Sequence, residues 1–76
     1  MKVLYNVFVG FRSGRANIVG DNNVAIGSNA AYTNTFGFRN TVVGHQAFKL
    51  NTSGSYNTAV GRSALYTNTT ADFNTA

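Results

Sequence analysis

The sequence NTAVGRSALYTNTTADF at residues 57–73 decides the fold, because its pattern fills three preceding segments and begins again at residues 74–76. The repeats are NVFVGFRSGRANIVGDN (6–22), NVAIGSNAAYTNTFGFR (23–39), NTVVGHQAFKLNTSGSY (40–56) and NTAVGRSALYTNTTADF (57–73), each of 17 residues. A fixed internal period restricts the fold classes open to a chain more than any local signal does. The sequence therefore predicts a repeat domain over 6–76, preceded by an imperfect lead-in at 1–5. We number each repeat from position 1 to position 17.

Certain positions keep the same kind of residue in every repeat, whereas positions 6, 7 and 10 vary freely. We expect the constant positions to lie inside or in turns, and the variable ones to form a solvated face. Positions 1 and 12 are always asparagine: Asn6, Asn23, Asn40, Asn57 and Asn74, and Asn17, Asn34, Asn51 and Asn68. Position 5 is always glycine: Gly10, Gly27, Gly44 and Gly61.

The local pattern favours extended chain over helix. In NTAVG, positions 2 and 4 are β-branched and would share one face of a strand, which the glycine then ends. SALYTN and QAFKLN are interpreted as a second extended piece. Seventeen residues with a glycine, two asparagines and several threonines are poor helix material. The sequence predicts an all-β fold, a parallel β-solenoid or β-roll of about four 17-residue coils, with equal positions stacked at ~4.8 Å.

The constant asparagines have a structural role in such a stack. Amide side chains at one position can hydrogen-bond to each other from coil to coil, as asparagine ladders do in cross-β stacks. They can also satisfy backbone groups of the turns. We therefore predict structural ladders at positions 1 and 12, in preference to a catalytic or glycan-binding role.

A single column of such coils offers little apolar surface for each ordered residue. The shortfall predicts that every coil also buries a face against another chain, so we expect a homotrimer. The small residues at position 3, Ala25, Ala59 and Ala76, are expected to allow that close approach. The strand that begins at 74–76 is expected to be covered by more chain or by another copy, because the edge of a sheet carries unpaired backbone groups.

The segments NVAIG, NTVVG and NTAVG, each followed by two residues and then alanine, resemble the head repeats of trimeric autotransporter adhesins. The chain resembles still more closely the NTAVGxxALxxNTTGxxN repeats of bacteriophage tail fibres and related surface proteins. The resemblance implies left-handed parallel β-rolls, three chains side by side, and no catalytic residues. The 17-residue period and the residues Phe8, Gly14 and Ile18 of the first repeat depart from the family pattern. The resemblance also implies that the chain is a structural or receptor-binding segment that is extracellular or virion-associated.

Composition excludes several functions. The chain has 76 residues, no cysteine, one histidine and 11% charged residues, so disulfides and thiolate chemistry are absent. No catalytic triad, metal cluster or phosphate loop is recognisable, and Asp21 and Asp72 would lie roughly 15 Å apart by the stacking rule, too far to pair. We expect no enzyme activity and no cofactor. The net charge of +4 is spread over several positions, which argues against nucleic-acid binding. No apolar run approaches a membrane span, and we expect no membrane insertion.

Three alternatives stay open. The chain could be a subunit of an end-to-end β-solenoid filament. It could bind ice or a mineral through stacked Thr-x-Thr pairs such as 33–35 and 67–69. It could bind a cell-surface glycan or protein receptor through exposed side chains, and the candidate surface-binding residues are Tyr32, Tyr66, Arg62 and His45.

Overall fold

The computed structural model describes residues 5–17 and 19–76. Residues 1–4 of the predicted lead-in and Ile18 lie outside the described residues. The described chain has four strands and no helix: β1 (Val7–Val9), β2 (Val24–Ile26), β3 (Thr41–Val43) and β4 (Thr58–Val60). They form one parallel sheet in sequence order. The prediction of an all-β chain with a parallel sheet is confirmed, and the arrangement is consistent with a β-solenoid.

The register of the sheet follows the repeat. Val7 pairs with Val24, Val24 with Thr41, and Thr41 with Thr58, so each residue meets its equivalent 17 residues further along. Thr75 continues the series through an isolated parallel bridge to Thr58. Equal positions of the four repeats therefore form columns across the sheet.

Each strand is short because glycine follows it directly. The strands cover positions 2–4, where β-branched residues favour extended backbone. Gly44, at position 5 after β3, has a φ of +138°. Side-chain-bearing residues rarely adopt that conformation, so glycine ends the strand at this point.

The second extended piece predicted for SALYTN and QAFKLN is wrong. In the described residues those segments are turns, and their positions 7 and 9 have left-handed backbone, as at Gln46 (φ 58°) and Phe48 (φ 61°). Turn hydrogen bonds close the same region, for example from the Ala47 N–H to the Gly44 carbonyl at 3.2 Å. Alternating right- and left-handed residues curl the chain where an extended segment would run straight.

The core is built from positions 3, 8 and 9. Buried residues at these positions are Ala25, Ala30, Ala31, Val42, Ala47, Phe48 and Ala59, with Phe8 and Leu65 packed against them. Positions 2 and 4 share a face as predicted from the alternation, but that face points outward. The expectation that a position as constant as position 4 lies inside is therefore wrong, and the small residues Ala25 and Ala59 of position 3 face the core of this chain.

Positions 3 and 9 compensate in size within the first repeat. Phe8 is large where other repeats have valine or alanine, and its partner at position 9 is Gly14. A methyl group on Gly14 would lie 2.5 Å from the ring of Phe8. The departures of the first repeat from the family pattern are therefore a matched pair, in which the ring of Phe8 occupies the space left by glycine.

Candidate functional site

The asparagines of position 1 form a hydrogen-bonded column inside the chain. Asn40 Nδ2 donates to Asn23 Oδ1 at 3.0 Å, and Asn57 Nδ2 donates to Asn40 Oδ1 at 3.2 Å. Their backbone amides also donate to the Oδ1 of the preceding asparagine, at 3.0 Å for Asn57. The column continues at both ends: the backbone amide of Asn23 donates to Asn6 Oδ1, and that of Asn74 donates to Asn57 Oδ1. Each amide oxygen in the middle of the column therefore accepts two hydrogen bonds.

The asparagines of position 12 form a second column. Asn51 Nδ2 donates to Asn34 Oδ1 at 2.8 Å, and Asn68 Nδ2 donates to Asn51 Oδ1 at 2.9 Å. Asn17 begins the column, and its buried Oδ1 has no hydrogen-bond partner in the described structure. The ladder pattern thus holds from Asn34 to Asn68.

Both columns converge on the carbonyl group of position 15. In repeat 3 the Gly54 carbonyl accepts a hydrogen bond from Asn40 Nδ2 at 2.9 Å and another from Asn51 Nδ2 at 3.1 Å. A methyl group on Gly54 would collide with Oδ1 of Asn51 and lie 2.9 Å from Nδ2 of Asn68. Sequence reasoning found both columns but missed that they meet. The sequence feature that indicates this meeting point is the glycine at position 15 of the first three repeats.

The glycines of position 5 also stack. A methyl group on Gly10 would lie 2.8 Å from the carbonyl carbon of Gly27, and one on Gly27 would lie 2.7 Å from that of Gly44. One on Gly44 would lie 2.6 Å from the carbonyl carbon of Gly61. At Gly61 no atom lies within 4 Å of the added methyl group. The first three glycines therefore allow consecutive turns to approach closely.

Tyr32 and Tyr66, two of the candidate surface-binding residues, lie in a column of alternating cations and aromatic rings. The Arg15 guanidinium lies 5.7 Å from the centroid of the Tyr32 ring and donates to the Tyr32 hydroxyl at 2.6 Å. The Lys49 ammonium lies 5.9 Å from the Tyr32 centroid and 5.8 Å from that of Tyr66. Cations held over rings stabilise the stack and cover the aromatic faces that a ligand would need.

The other two candidates, Arg62 and His45, share position 6 in consecutive repeats and are exposed. Backbone hydrogen bonds hold this turn, with the Ser63 N–H donating to the His45 carbonyl at 2.9 Å. Neither side chain makes a described contact with Tyr32 or Tyr66. The structure therefore does not bring the four candidates together as one site.

The two acidic side chains support the backbone. Asp72 Oδ1 accepts the Ser55 N–H at 2.7 Å, and Asp21 Oδ1 accepts the Tyr5 N–H at 2.6 Å. Between them, Ser55 Oγ accepts the Phe38 N–H at 3.1 Å. Position 16 therefore supplies an acceptor for an amide of the preceding repeat, which is a structural use of both carboxylates.

The threonine pairs do not present a regular array of hydroxyl groups. The Thr33 hydroxyl donates to the Lys49 carbonyl, and the Thr35 hydroxyl donates to the Thr33 carbonyl at 3.1 Å. The Thr52 hydroxyl donates to the Thr69 carbonyl at 3.3 Å. Hydroxyl groups committed to backbone acceptors have less capacity to order water on a surface.

The outward face of the sheet is a regular apolar feature of the described chain. Positions 2 and 4 place six valine or isoleucine and two threonine side chains on it: Val7, Val9, Val24, Ile26, Thr41, Val43, Thr58 and Val60. Val9 is 54% exposed and Val60 is 59% exposed. We call this surface the outer strand face. Contiguous apolar surface of this kind marks an interaction site in soluble proteins.

A second apolar surface lies at positions 14, 16 and 17. Phe38 and Tyr56 meet edge to face with ring centroids 5.4 Å apart, and Tyr56 stacks on Phe73 at 4.9 Å. A cleft of about 430 Å³ opens beside this cluster. Its lining residues are Val19, Asp21, Asn22, Phe36, Phe38, Arg39 and Tyr56. Sequence reasoning missed this cluster, including the contribution of Phe36 and Phe38.

Within residues 5–17 and 19–76, no three histidine or acidic side chains gather in a group that could hold a metal ion. The same residues include no helix of the length and apolarity that a membrane crossing requires. Comparison with protein-family models, with curated proteins and with solved structures finds no match to this chain.

Proposed function

We propose that the chain is a non-catalytic structural or receptor-binding segment of a phage tail fibre or a bacterial surface adhesin. In this proposal it is a left-handed β-solenoid of 17-residue coils, three copies of which associate side by side, outside the cell or on a virion. The observation that carries the proposal is the outer strand face. It is apolar, regular in every repeat and built on consecutive paired strands.

The outer strand face is suited to contact with a second copy. Valine or isoleucine stands at position 4 of every repeat although positions 3, 8 and 9 fill the core, and a polar β-branched residue such as the threonine at position 2 of repeats 3 and 4 would favour the strand as well. Burying such side chains stabilises an assembly by roughly 25 cal/mol per Å² of apolar area. Interfaces between identical chains resemble a domain core divided in two, which fits this composition.

The rest of the repeat supports a stiff rod. The two asparagine columns and the glycine columns link each repeat to the next through buried hydrogen bonds and close backbone contact. Variation at positions 6 and 7 changes exposed side chains such as His45 and Arg62 without touching the core. A segment of this kind can hold a constant shape while its surface diversifies for a receptor.

The experiment that tests the proposal places a charge on the outer strand face. Val43→Lys should break the association while leaving each chain folded, because the Val43 side chain points away from the core. Gln46→Lys adds the same charge at position 7, away from that face, and serves as the matched control. Sedimentation equilibrium should give three chains for the parent and for Gln46→Lys, and fewer for Val43→Lys. Equal masses for all three proteins would overturn the side-by-side arrangement.

The alternative function is an end-to-end filament. Residues 74–76 pair with β4 in the same register as the earlier strands, with the Thr58 N–H donating to the Asn74 carbonyl at 2.8 Å. A strand of another copy could be added by the same geometry. A mass that rises with concentration well beyond three chains, unaffected by Val43→Lys, would favour this alternative.

A further inference from the structure

The cleft at positions 14, 16 and 17 has the size and lining of a small-molecule site. Its volume of about 430 Å³ falls within the roughly 300–1,000 Å³ typical of ligand pockets. Such pockets combine apolar and aromatic walls with a few polar groups that orient the ligand. Here the walls are Val19, Phe36, Phe38 and Tyr56, and further polar groups come from Asp21, Asn22 and Arg39.

Phe36 provides the exposed aromatic surface of this cleft. Its side chain is 57% exposed, and it makes no ring-stacking or cation–π contact with another described residue. Tyr56, in contrast, has ring contacts with its neighbours: Phe73 stacks on it, and the Arg39 guanidinium lies 5.5 Å from its centroid. An open ring beside hydrogen-bonding groups is able to receive a flat molecule that is apolar on one face and polar at its rim.

We propose that this cleft binds a neutral saccharide, with the C–H face of one sugar ring stacked on Phe36. Asn22 and Arg39, both exposed at position 17, offer amide and guanidinium donors to the sugar hydroxyl groups, and the Asn22 amide oxygen offers an acceptor. The cleft contains one acidic and one basic side chain, Asp21 and Arg39, so its lining has no net charge and favours a neutral ligand. The inference rests on the receptor-binding part of the proposed function and not on the number of chains.

The apolar wall at position 14 is specific to repeats 1 and 2. Position 14 holds Val19 and Phe36 there, but Ser53 and Thr70 in repeats 3 and 4. The other repeats therefore show which residues the fold tolerates at positions 14 and 17, and these residues can be used as substitutions in the cleft. Phe36→Ser introduces the residue of repeat 3, and Arg39→Asn introduces the residue of repeat 1, where asparagine also has left-handed backbone.

The test uses saturation-transfer NMR with the full chain and the methyl glycosides of glucose, galactose, mannose and N-acetylglucosamine at millimolar concentration. At least one glycoside should receive saturation, strongest at the ring protons of one face. Phe36→Ser should lower its affinity about tenfold or below detection, since an aromatic contact of ~1.4 kcal/mol corresponds to a factor of ten. Arg39→Asn should weaken binding without abolishing the stacking signal.

Leu50→Thr is the matched control. Leu50 is an exposed apolar residue at position 11, outside the cleft, and threonine occupies that position in repeats 2 and 4. This variant should bind as the parent does, and circular dichroism should show that all variants keep the parent fold. Saturation that is absent for every glycoside, or unchanged in Phe36→Ser, would overturn the proposal.

Light scattering of the same samples separates this inference from the proposed assembly. If Phe36→Ser lowers the molecular mass and no glycoside binds, the cleft is a contact between copies, and the saccharide proposal is wrong. If glycoside binding depends on Phe36 while the parent is a monomer, the cleft is a saccharide site and the side-by-side trimer is wrong.

Discussion

Asn40→Asp tests the asparagine column with the smallest change of shape. Asn40 is buried, and its Nδ2 donates to Asn23 Oδ1 at 3.0 Å and to the Gly54 carbonyl at 2.9 Å. Aspartate puts an acceptor in place of that donor, so two buried hydrogen bonds become contacts between oxygen atoms. The hydrogen bond on the other side of the group is kept, because Oδ1 of residue 40 still accepts from the Asn57 backbone amide.

The magnitude follows from the two lost donors. A buried polar group left without its partner costs about 1–3 kcal/mol, and more when a charge is involved. We therefore expect Asn40→Asp to lower the free energy of unfolding by about 3–5 kcal/mol at neutral pH. A domain of 76 residues has a total of about 4–11 kcal/mol, so the variant should be largely unfolded or close to it.

The effect should depend on pH in a defined direction. In the folded variant one oxygen of the buried carboxyl group faces the acceptor oxygens of Asn23 and Gly54, which raises its pKa above the value of about 3.9 that it has in the unfolded chain. The folded variant then binds a proton more tightly than the unfolded one, so its stability falls as pH rises from about 4 through the folded-state pKa. The deficit relative to the parent should be smallest at or below pH 4, where the protonated group again has one donor.

The assay is urea unfolding followed by circular dichroism, at one chain concentration and at several pH values. Gln46→Glu is the control, because it makes the same amide-to-carboxylate change in a side chain that has no described hydrogen bond. It should alter stability by less than about 0.5 kcal/mol, as surface substitutions do. A loss of under 1 kcal/mol for Asn40→Asp at neutral pH would refute the view that the column stabilises the fold.

Three further predictions concern packing and surface chemistry. Gly44→Ala should lower the free energy of unfolding by several kcal/mol, because its methyl group would lie 2.6 Å from the Gly61 carbonyl carbon. At Gly61 the added methyl group has open space, so Gly61→Ala should cost only about 1–2 kcal/mol, from backbone strain. Equal losses for the two variants in urea unfolding would contradict the stacking of the glycines. Gly14→Leu alone should destabilise the fold. Adding Phe8→Ala should recover part of the lost free energy of unfolding, because the pair then has alanine at position 3 and leucine at position 9, as in repeat 4. Simple additivity of the two changes in a double-mutant cycle would contradict the pairing of Phe8 with Gly14. Thermal hysteresis should be absent in osmometry, because the hydroxyl groups of Thr33, Thr35 and Thr52 donate to backbone carbonyls and leave no regular array, and clear hysteresis would support the ice-binding alternative.

The 17-residue period was sufficient to predict the parallel sheet and its register. Equal residues at equal positions can satisfy the same backbone contacts in every repeat, so Asn23, Asn40 and Asn57 predicted their own stacking. The lateral hydrogen bonds to position 15 were not predictable from the period. They depend on the folding of one repeat across its own width, which the alternation of apolar residues does not encode.

The direction of the strand faces was predicted least well. Alternation placed Val43 and Thr41 on one face and Val42 on the other, but alternation alone does not say which face is inside. The constant Val or Ile at position 4 pointed to burial, and the structure shows that face turned outward. The missed signal lies in the first repeat, where the large Phe8 at position 3 coincides with Gly14 at position 9 and so indicates that position 3 points inward.

The cleft was missed because its residues are unlike one another. The other repeats have valine, serine or threonine at the position of Phe36, and asparagine, tyrosine or phenylalanine at that of Arg39, so a search for constant positions passes over them. Turn geometry brings positions 14, 16 and 17 of adjacent repeats together, and no period in the sequence reports that proximity.

The native mass of the chain in solution tests the central claim most directly, since the outer strand face is proposed to be a contact between copies. Native mass spectrometry at micromolar concentration should show a particle of about 24 kDa, which is three times the chain mass of 8.1 kDa. A single folded chain of 8.1 kDa, with the circular dichroism of a β-protein, would contradict the account.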